Sequence, residues 1–262
     1  PIFADVDVNS GCITAETIKP LITSKTKLIS IVHLGGWPAD ILPIIDLAKK
    51  FNIKLIEDCS QAHGAKINKK NVGSFGDIGT WSFCQDKIIS TGGEGGMVTT
   101  NDFNLYKKLW SLKDHGKSLD LIKNNKNDHT FKWLHEGIGS NCRLTEVQSG
   151  IGRIQLKRLN KTNLTRQRNA EILLNKLKTN KLLRIPLPPK KYKHAWYKFY
   201  VYLNSDKLKP KWNRDKILNE LNKAGVKSYA GSCSEIYLEK ISMQKELNSS
   251  LYNKQVYLVS VD

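Results

Sequence analysis

The sequence lacks a long apolar run, a paired-cysteine motif and, over its first 130 residues, arginine. No uninterrupted apolar stretch approaches the roughly 20 residues that a membrane-crossing helix needs, so no membrane partner is expected. The five cysteines are scattered without a C-x-x-C pair, which argues against a disulfide framework and against a zinc site. The six histidines show no ligand spacing with acids or cysteines, so no metal site is expected. These absences predict a cytoplasmic protein with reduced thiols.

The net charge of +18 is concentrated in the second half of the chain. Residues 1–130 hold 16 Lys and 14 acids, whereas residues 131–262 hold 19 Lys, 7 Arg and 10 acids. Clustered basic residues are typical of nucleic-acid binding. Lys nevertheless outnumbers Arg 35 to 7, and bidentate recognition of phosphates and bases favours Arg. We interpret the excess as a solvated surface and expect no nucleic-acid partner.

A strand, a helix and a second strand follow one another early in the chain. Lys27–Val32 is short and rich in β-branched residues, apolar residues recur at helical spacing over Ile44–Phe51, and Lys54–Ile56 is apolar again. Such a βαβ unit requires a right-handed crossover and a parallel sheet. The first half is therefore predicted to be an α/β domain.

The second half predicts a capped helix and then a smaller α+β domain. Thr145 and Gln148 are spaced as a capping box, and apolar residues at helical spacing follow them. Beyond a proline-rich break, Trp196–Leu203 alternates like a strand, and Asp215–Ala224 resembles a helix that ends at Gly225.

Both ends of the sequence lie within predicted strands. Pro1–Asp7 begins without Met in a strand-like pattern, and Val256–Val261 ends in another. We therefore expect the chain to be part of a longer protein, truncated at both ends.

Side chains capable of chemistry follow the predicted strands. Asp58 comes directly after the second strand, and ligands of parallel α/β sheets bind at the carboxyl ends of strands. An acid that caps the next helix would explain this placement equally well, so Asp58 carries weight only together with its neighbours. Gln61 and His63 follow closely, and Ser82 lies five residues before Lys87, with a glycine cluster directly afterwards.

Taken together, these segments resemble the sugar-nucleotide aminotransferases of the DegT/StrS type, a branch of the type I pyridoxal-phosphate enzymes. Glu57–Ala65 resembles the family's E-D-x-A-Q-A-H-G-A block, with Ser60 in place of the usual Ala. The other matches lie in the family's order: His33 in its V-H block, then Gly73–Asp77, Ser82–Phe83, Lys87 and Gly92–Gly96 in its lysine segment, and Gly139–Arg143 in its G-x-N-x-R block. Several motifs in order are hard to obtain by chance.

The resemblance implies a fold with two domains. A large α/β domain of the type I (aspartate-aminotransferase-like) fold, with a mostly parallel sheet, would cover residues 1–158 and lack its N-terminal part. A smaller, incomplete α+β domain would cover residues 159–262. The missing part supplies a Gly-Thr phosphate loop and an aromatic side chain over the cofactor in the family.

The resemblance also implies an activity and its partners. The enzyme would use pyridoxal 5'-phosphate to move an amino group from glutamate to a keto-6-deoxy sugar linked to a nucleotide diphosphate. The product would enter surface polysaccharide or glycan biosynthesis. The protein would be a homodimer with shared active sites.

The resemblance assigns roles to five residues. Lys87 would carry the cofactor and act as general acid and base. Asp58 would pair with the pyridine nitrogen and keep it protonated. Gln61 would lie beside the ring, and Ser82 would donate to the phosphate. Asn141 would reach the phosphate of the neighbouring subunit's cofactor.

Alternatives stay open at this point. A sugar dehydratase of the same family carries histidine in place of the lysine, and Lys87 argues against that activity. A non-catalytic regulator or nucleic-acid binder could be built on the same fold and use the basic second half. Ser82 could simply satisfy backbone groups at a strand end. His33 and His63 fit buried scaffold and catalysis equally.

Overall fold

The computed structural model describes residues 1–124 and 134–231. The helices of this part are α1 (Ala15–Ile18), α2 (Ile41–Lys50), α3 (Phe103–Lys113), α4 (Leu119–Asn124), α5 (Glu146–Leu177) and α6 (Arg214–Lys223). Its strands are β1 (Leu28–Val32), β2 (Lys54–Asp58), β3 (Lys66–Ile67), β4 (Lys70–Asn71), β5 (Ile78–Ser82), β6 (Gly96–Thr99), β7 (Leu183–Arg184), β8 (Tyr192–Lys193) and β9 (Tyr202–Leu203). The strand predicted at Val256–Val261 lies outside the described residues.

The main sheet has the strand order β1-β2-β5-β6. The first three strands are parallel, and β6 runs antiparallel to β5. The predicted βαβ unit is confirmed, because β1 and β2 pair in parallel across α2. The α/β class predicted for the first half is therefore correct.

The core lies on one face of this sheet. Ile29 and Leu55 are paired in register and alternate onto the same face as Ile31. Helix α2 contributes Ile41 and Ile44, and all five side chains are almost wholly buried. Burying each isoleucine stabilises the fold by roughly 1.5–3 kcal/mol, so the packing of α2 on β1 and β2 is a main source of stability.

The strand predicted at Pro1–Asp7 is wrong. In that segment Val6 makes only an isolated bridge, to Ile13. The carboxylate of Asp7 accepts hydrogen bonds from the backbone N–H groups of Asn9 and Ser10, at 3.1 and 2.8 Å. The chain turns here because a short acidic side chain satisfies the next backbone donors locally.

The strand predicted at Trp196–Leu203 is confirmed only at its end, in β9. Trp196 has a φ of +52°, which a strand residue does not adopt. The backbone N–H groups of Ala195 and Lys198 donate to the carbonyls of Gly36 and Gly35, at 2.9 and 3.1 Å. These donors serve a tertiary contact instead of a strand ladder.

The capped helix at Thr145 is confirmed. Thr145 Oγ1 accepts from the Gln148 backbone N–H at 3.2 Å, and Gln148 Oε1 accepts from the Thr145 N–H at 3.1 Å. Helix α5 runs from Glu146 to Leu177, so the predicted domain boundary after residue 158 lies inside it. The division into two domains stays a prediction.

The helix predicted at Asp215–Ala224 is confirmed as α6, which ends before Gly225 with its φ of +81°. None of the helices in the described ranges has the length and apolar character that a membrane span needs.

A wholly buried carboxylate, Glu57, joins the strands to the loop before β5. Its Oε2 accepts from His33 Nε2 at 3.0 Å and from the Gly73 N–H at 2.7 Å. Its Oε1 accepts from the N–H groups of Phe75 and Gly76, both at 2.7 Å. Burial raises the pKa of Glu57, but these hydrogen bonds outweigh burial and hold the pKa below its ordinary value. The carboxylate is therefore ionised within the core.

Substituting Glu57→Gln is expected to lower the free energy of unfolding by about 3 kcal/mol at pH 7, measured by urea denaturation. The amide would turn an N–H₂ group toward backbone donors that need an acceptor. Asp58→Asn is the matched control, because this neighbour alternates onto the other face, and its loss should stay below about 1 kcal/mol.

The difference in stability between the wild type and Glu57→Gln should also depend on pH. Because the pKa of folded Glu57 lies below 4.5, its stabilisation is fully present above that value and is lost as the pH falls through the folded pKa. The difference in stability between wild type and Glu57→Gln should therefore shrink in acid. Equal stabilities at pH 7 would contradict the role of Glu57.

Candidate functional site

The carboxyl ends of the parallel strands carry two of the predicted site residues. Asp58 is the last residue of β2, and Ser82 is the last residue of β5. Asp58 pairs in register with Thr80, two residues before Ser82, so all three side chains alternate onto the same face of the sheet. This face is opposite the one that buries Glu57.

Asp58 is half-buried, and its Oδ1 accepts from the backbone N–H of Ser60 at 2.9 Å. Its position follows from strand alternation, because Glu57 before it turns into the core. The structure thus divides the two adjacent acids between a structural position and the candidate site.

Lys87 lies in the turn that follows β5. Its backbone N–H donates to the Cys84 carbonyl at 3.0 Å, which closes the turn. Its side chain is 17% exposed, and Nζ lies 3.7 Å from Asp86 Oδ1 and 3.5 Å from the hydroxyl of Tyr197. The lysine amine at this edge is shielded from most solvent and contacts Asp86 and Tyr197.

The glycine cluster Gly92–Gly96 returns along the end of β5. The Gly95 carbonyl accepts from the Phe83 N–H at 2.7 Å, and the last glycine pairs with Ser82 as β6 begins. The glycine cluster that follows Lys87 is therefore held beside the end of β5 by backbone hydrogen bonds and strand pairing.

Gln61 is connected to the end of β1. Its Oε1 accepts from the Gly35 N–H at 2.7 Å. Gly35 and Gly36 have φ values of +63° and +97°, and a Cβ on Gly36 would come within 3.0 Å of the Trp196 backbone nitrogen. Only glycine permits this close turn, which brings Gln61 and the segment around Trp196 to one place.

Asn141 has different neighbours from the other four candidates. Its backbone bridges Asp114 after α3, and its Oδ1 accepts from Arg143 Nε at 2.9 Å. Its side chain is exposed. The structure therefore brings Asp58, Gln61, Ser82 and Lys87 to one edge of the sheet, while Asn141 lies on an exposed segment.

His33 is scaffold, since both of its ring nitrogens are used within the protein. Nδ1 accepts from the Ala39 N–H at 3.0 Å, so Nε2 carries the proton that goes to Glu57. Ligand atoms of His33, Glu57 and Cys59 lie within 4.8 Å of one another. Burial raises the pKa of the Cys59 thiol, which disfavours the thiolate that a metal needs. Hydrogen bonding accounts for this cluster.

His63 is buried against Trp81 and Phe83, with ring centroids 5.4 and 5.9 Å away. Burial lowers its pKa to about 4, so the ring is neutral at pH 7. It lines an apolar cavity of about 370 Å³ between the sheet and α5. Its ring contacts Trp81, which alternates onto the sheet face opposite Asp58.

Sequence reasoning missed Tyr197. This residue lies 110 positions from Lys87, and no local pattern connects the two. Asp86 stands inside the lysine segment, and the motif assigns it no role. The adjacency of Asp86 to Lys87 was the available signal, whereas Tyr197 could be found only from the fold.

Comparison with known proteins gives matches over most of the chain. The sequence profile of the DegT/DnrJ/EryC1/StrS aminotransferase family matches residues 1–254. A curated relative, UDP-N-acetyl-3-dehydro-alpha-D-glucosamine 3-aminotransferase of Acidithiobacillus ferrooxidans, is 38% identical over 228 residues. The match covers 87% of this chain and 56% of the relative. The chain thus spans little more than half the length of this relative.

Solved structures show the same similarity. The aminotransferase from Psychrobacter cryohalolentis is 47% identical with a TM-score of 0.89, over 94% of this chain and 65% of that chain. The Escherichia coli GDP-4-keto-6-deoxy-D-mannose-3-dehydratase with bound hydrated PLP is 27% identical with a TM-score of 0.73, over 98% of this chain and 64% of that chain.

Proposed function

Because the chain belongs to the DegT/DnrJ/EryC1/StrS aminotransferase family, we propose that the whole protein is a pyridoxal-phosphate-dependent aminotransferase for nucleotide-linked keto sugars. The chain has the type I fold of these aminotransferases. The observation that carries the proposal is the position of Lys87, in the turn after β5 at the edge where Asp58 and Ser82 share one face.

The side chains at this edge fit pyridoxal phosphate by their chemistry. Lys87 offers a primary amine for the aldehyde, and Asp58 offers a carboxylate for the ring nitrogen. Ser82 offers a hydroxyl for the phosphate, and Gln61 offers an amide beside the ring. When bound, the cofactor supplies an electron-accepting ring.

The proposed roles follow from charge and protonation. Lys87 would hold the cofactor through its amine and would act as the general acid and base that moves a proton at the substrate carbon. Asp58 keeps the ring nitrogen protonated, because a nearby negative charge favours the charged form. The limited exposure of Lys87 reduces competition from water for its amine.

The proposed substrates are glutamate, as amino donor, and a keto-6-deoxy sugar linked to a nucleotide diphosphate. The name of the Acidithiobacillus relative, which describes a UDP-linked 3-dehydro sugar, supports this class. A role in surface polysaccharide or glycan biosynthesis, a cytoplasmic location and the absence of a nucleic-acid partner belong to the same proposal.

A homodimer with shared sites is also part of the proposal. Helix α5 exposes large apolar side chains in the described structure, and such a surface is typical of an interaction site. Val147 and Ile154, which lie on one face of the helix at i and i+7, are 74% and 54% exposed. The exposed position of Asn141, close before this helix, suits a residue that reaches a neighbouring subunit.

The alternative enzyme is a sugar dehydratase, the activity named for one structural relative. Dehydratases of the family carry histidine at the lysine position, so Lys87 favours amine chemistry. A regulator on the same fold would not require a cofactor-binding lysine, and trapping of the cofactor separates it from the enzyme.

Borohydride reduction of the whole protein with pyridoxal phosphate is expected to leave a phosphopyridoxyl group on Lys87, identified by peptide mass spectrometry. Lys87→Arg should abolish this adduct. Lys198→Arg is the matched control, because Lys198 also lies near Tyr197, the tyrosine that contacts Lys87. In this variant the adduct should remain on Lys87. An adduct found mainly on another lysine would remove the central assignment.

Asp58→Asn is expected to retain cofactor but to slow the half-reaction with glutamate by several orders of magnitude, each factor of ten being about 1.4 kcal/mol of barrier. The amide cannot hold the ring nitrogen in its charged form. Single-turnover absorbance measures the rate, and Asp40→Asn serves as the control. A near-normal rate in Asp58→Asn would show that Asp58 is structural.

Mixing variant subunits tests the role of Asn141. Lys87→Ala and Asn141→Ala subunits are exchanged, so that a heterodimer has one site with both lesions and one with neither. Activity should partly return relative to either parent. If confirmed exchange yields only the weighted average of the parents, Asn141 does not serve the neighbouring subunit.

A further inference from the structure

Residues 195–198, which precede β9, place the side chain of Tyr197 beside the turn that carries Lys87. Their backbone is held by the carbonyls of Gly35 and Gly36, through the N–H groups of Lys198 and Ala195. Tyr197 is only 8% exposed and belongs to the main core cluster. Its hydroxyl is thereby presented from a buried, hydrogen-bonded part of the fold.

The hydroxyl of Tyr197 lies between two groups of the lysine segment. It donates a hydrogen bond to Asp86 Oδ2. Lys87 Nζ lies 3.5 Å from the same hydroxyl oxygen and 3.7 Å from Asp86 Oδ1. The amine therefore has a hydrogen-bond acceptor in Tyr197 and an ion-pair partner in Asp86, and these two side chains are hydrogen-bonded to each other.

The protonation of this group follows from its contacts. Burial, and then the hydrogen bond to Asp86, raise the pKa of Tyr197 above its ordinary value. The hydrogen bond from Tyr197 is the largest of the effects on Asp86 and lowers its pKa. Tyr197 therefore keeps its proton for Asp86, and its oxygen lone pairs accept from the amine.

We propose that Tyr197 is a positioning residue for Lys87, which together with Asp86 holds the lysine amine in the orientation that the cofactor aldehyde meets. The inference rests on the proposed function, since the position of the amine matters only if a cofactor binds to it. Tyr197 acts through Lys87 and does not itself move a proton.

A matched arrangement elsewhere in the chain supplies the control. Tyr192 donates to Asp40 Oδ1 at 2.6 Å, and Lys191 Nζ lies 3.4 Å from the same oxygen. This second trio has the same three side-chain types but is largely exposed. Tyr192→Phe therefore removes an equivalent hydroxyl away from Lys87.

The experiment compares two probes on the whole protein by titration calorimetry. Pyridoxal phosphate has an aldehyde that condenses with the Lys87 amine and releases water. Pyridoxine 5'-phosphate has an alcohol at that carbon and cannot condense. Tyr197→Phe should weaken pyridoxal phosphate binding about tenfold, which corresponds to one hydrogen bond to a charged group, and leave pyridoxine phosphate within about twofold. Tyr192→Phe should change neither.

Asp86→Ala provides a second variant should Tyr197→Phe fail to fold. The Asp86 side chain is 51% exposed, so its removal leaves no core cavity. It should also weaken pyridoxal phosphate selectively. The variant with both substitutions should bind pyridoxal phosphate no more weakly than whichever single variant binds it less tightly. The two effects should not add, because Tyr197 and Asp86 act on the same amine.

Each outcome has one meaning. Equal weakening of both probes, or unchanged binding of pyridoxal phosphate, overturns the positioning role. If the wild-type protein binds pyridoxine phosphate and forms the Lys87 adduct but Tyr197→Phe equals wild type, only this inference fails. If the wild-type protein binds neither probe, the proposed function itself fails.

Discussion

The hydrogen bonding of the buried Glu57 carboxylate is the interaction on which the geometry of the candidate site depends. Removing a carboxylate from water is costly, and here four hydrogen bonds offset that cost. One comes from His33 after β1, and the others come from the loop that leads into β5. The bonds therefore hold the ends of two strands and the start of a third in one arrangement, and the lysine turn follows from that third strand.

This arrangement sets the face of each candidate side chain. With Glu57 held in the core, strand alternation turns Asp58 to the opposite face, where Ser82 also points. The turn after β1 extends the same edge, since its glycines hold Gln61 on one side and the Tyr197 segment on the other. Residues from widely separated parts of the chain thus meet at the carboxyl ends of the parallel strands, where such sheets bind ligands.

The surroundings of Lys87 support the proposed lysine chemistry over a role as an exposed basic residue. An exposed basic surface would explain the charge of the second half, but it would not require a shielded Lys87 that contacts Tyr197 and Asp86. The basic excess of residues 131–262 and the candidate site around Lys87 are therefore separate features. The basic excess follows from amino-acid composition, whereas the surroundings of Lys87 follow from the fold.

The sequence by itself determined the elements whose cause is local. The βαβ unit, the cap of α5 and α6 all follow from periodicity and from side chains that bond within a few residues, and the motif around Lys87 identified the family. Only the tertiary structure decided the partners of Glu57, the contact of Tyr197 with Lys87, and the loss of the strands expected at Pro1–Asp7 and over most of Trp196–Leu203. The physical reason is that a local pattern reports what a segment can form, whereas its backbone donors bind whichever acceptors the fold brings near, such as the glycine carbonyls after β1.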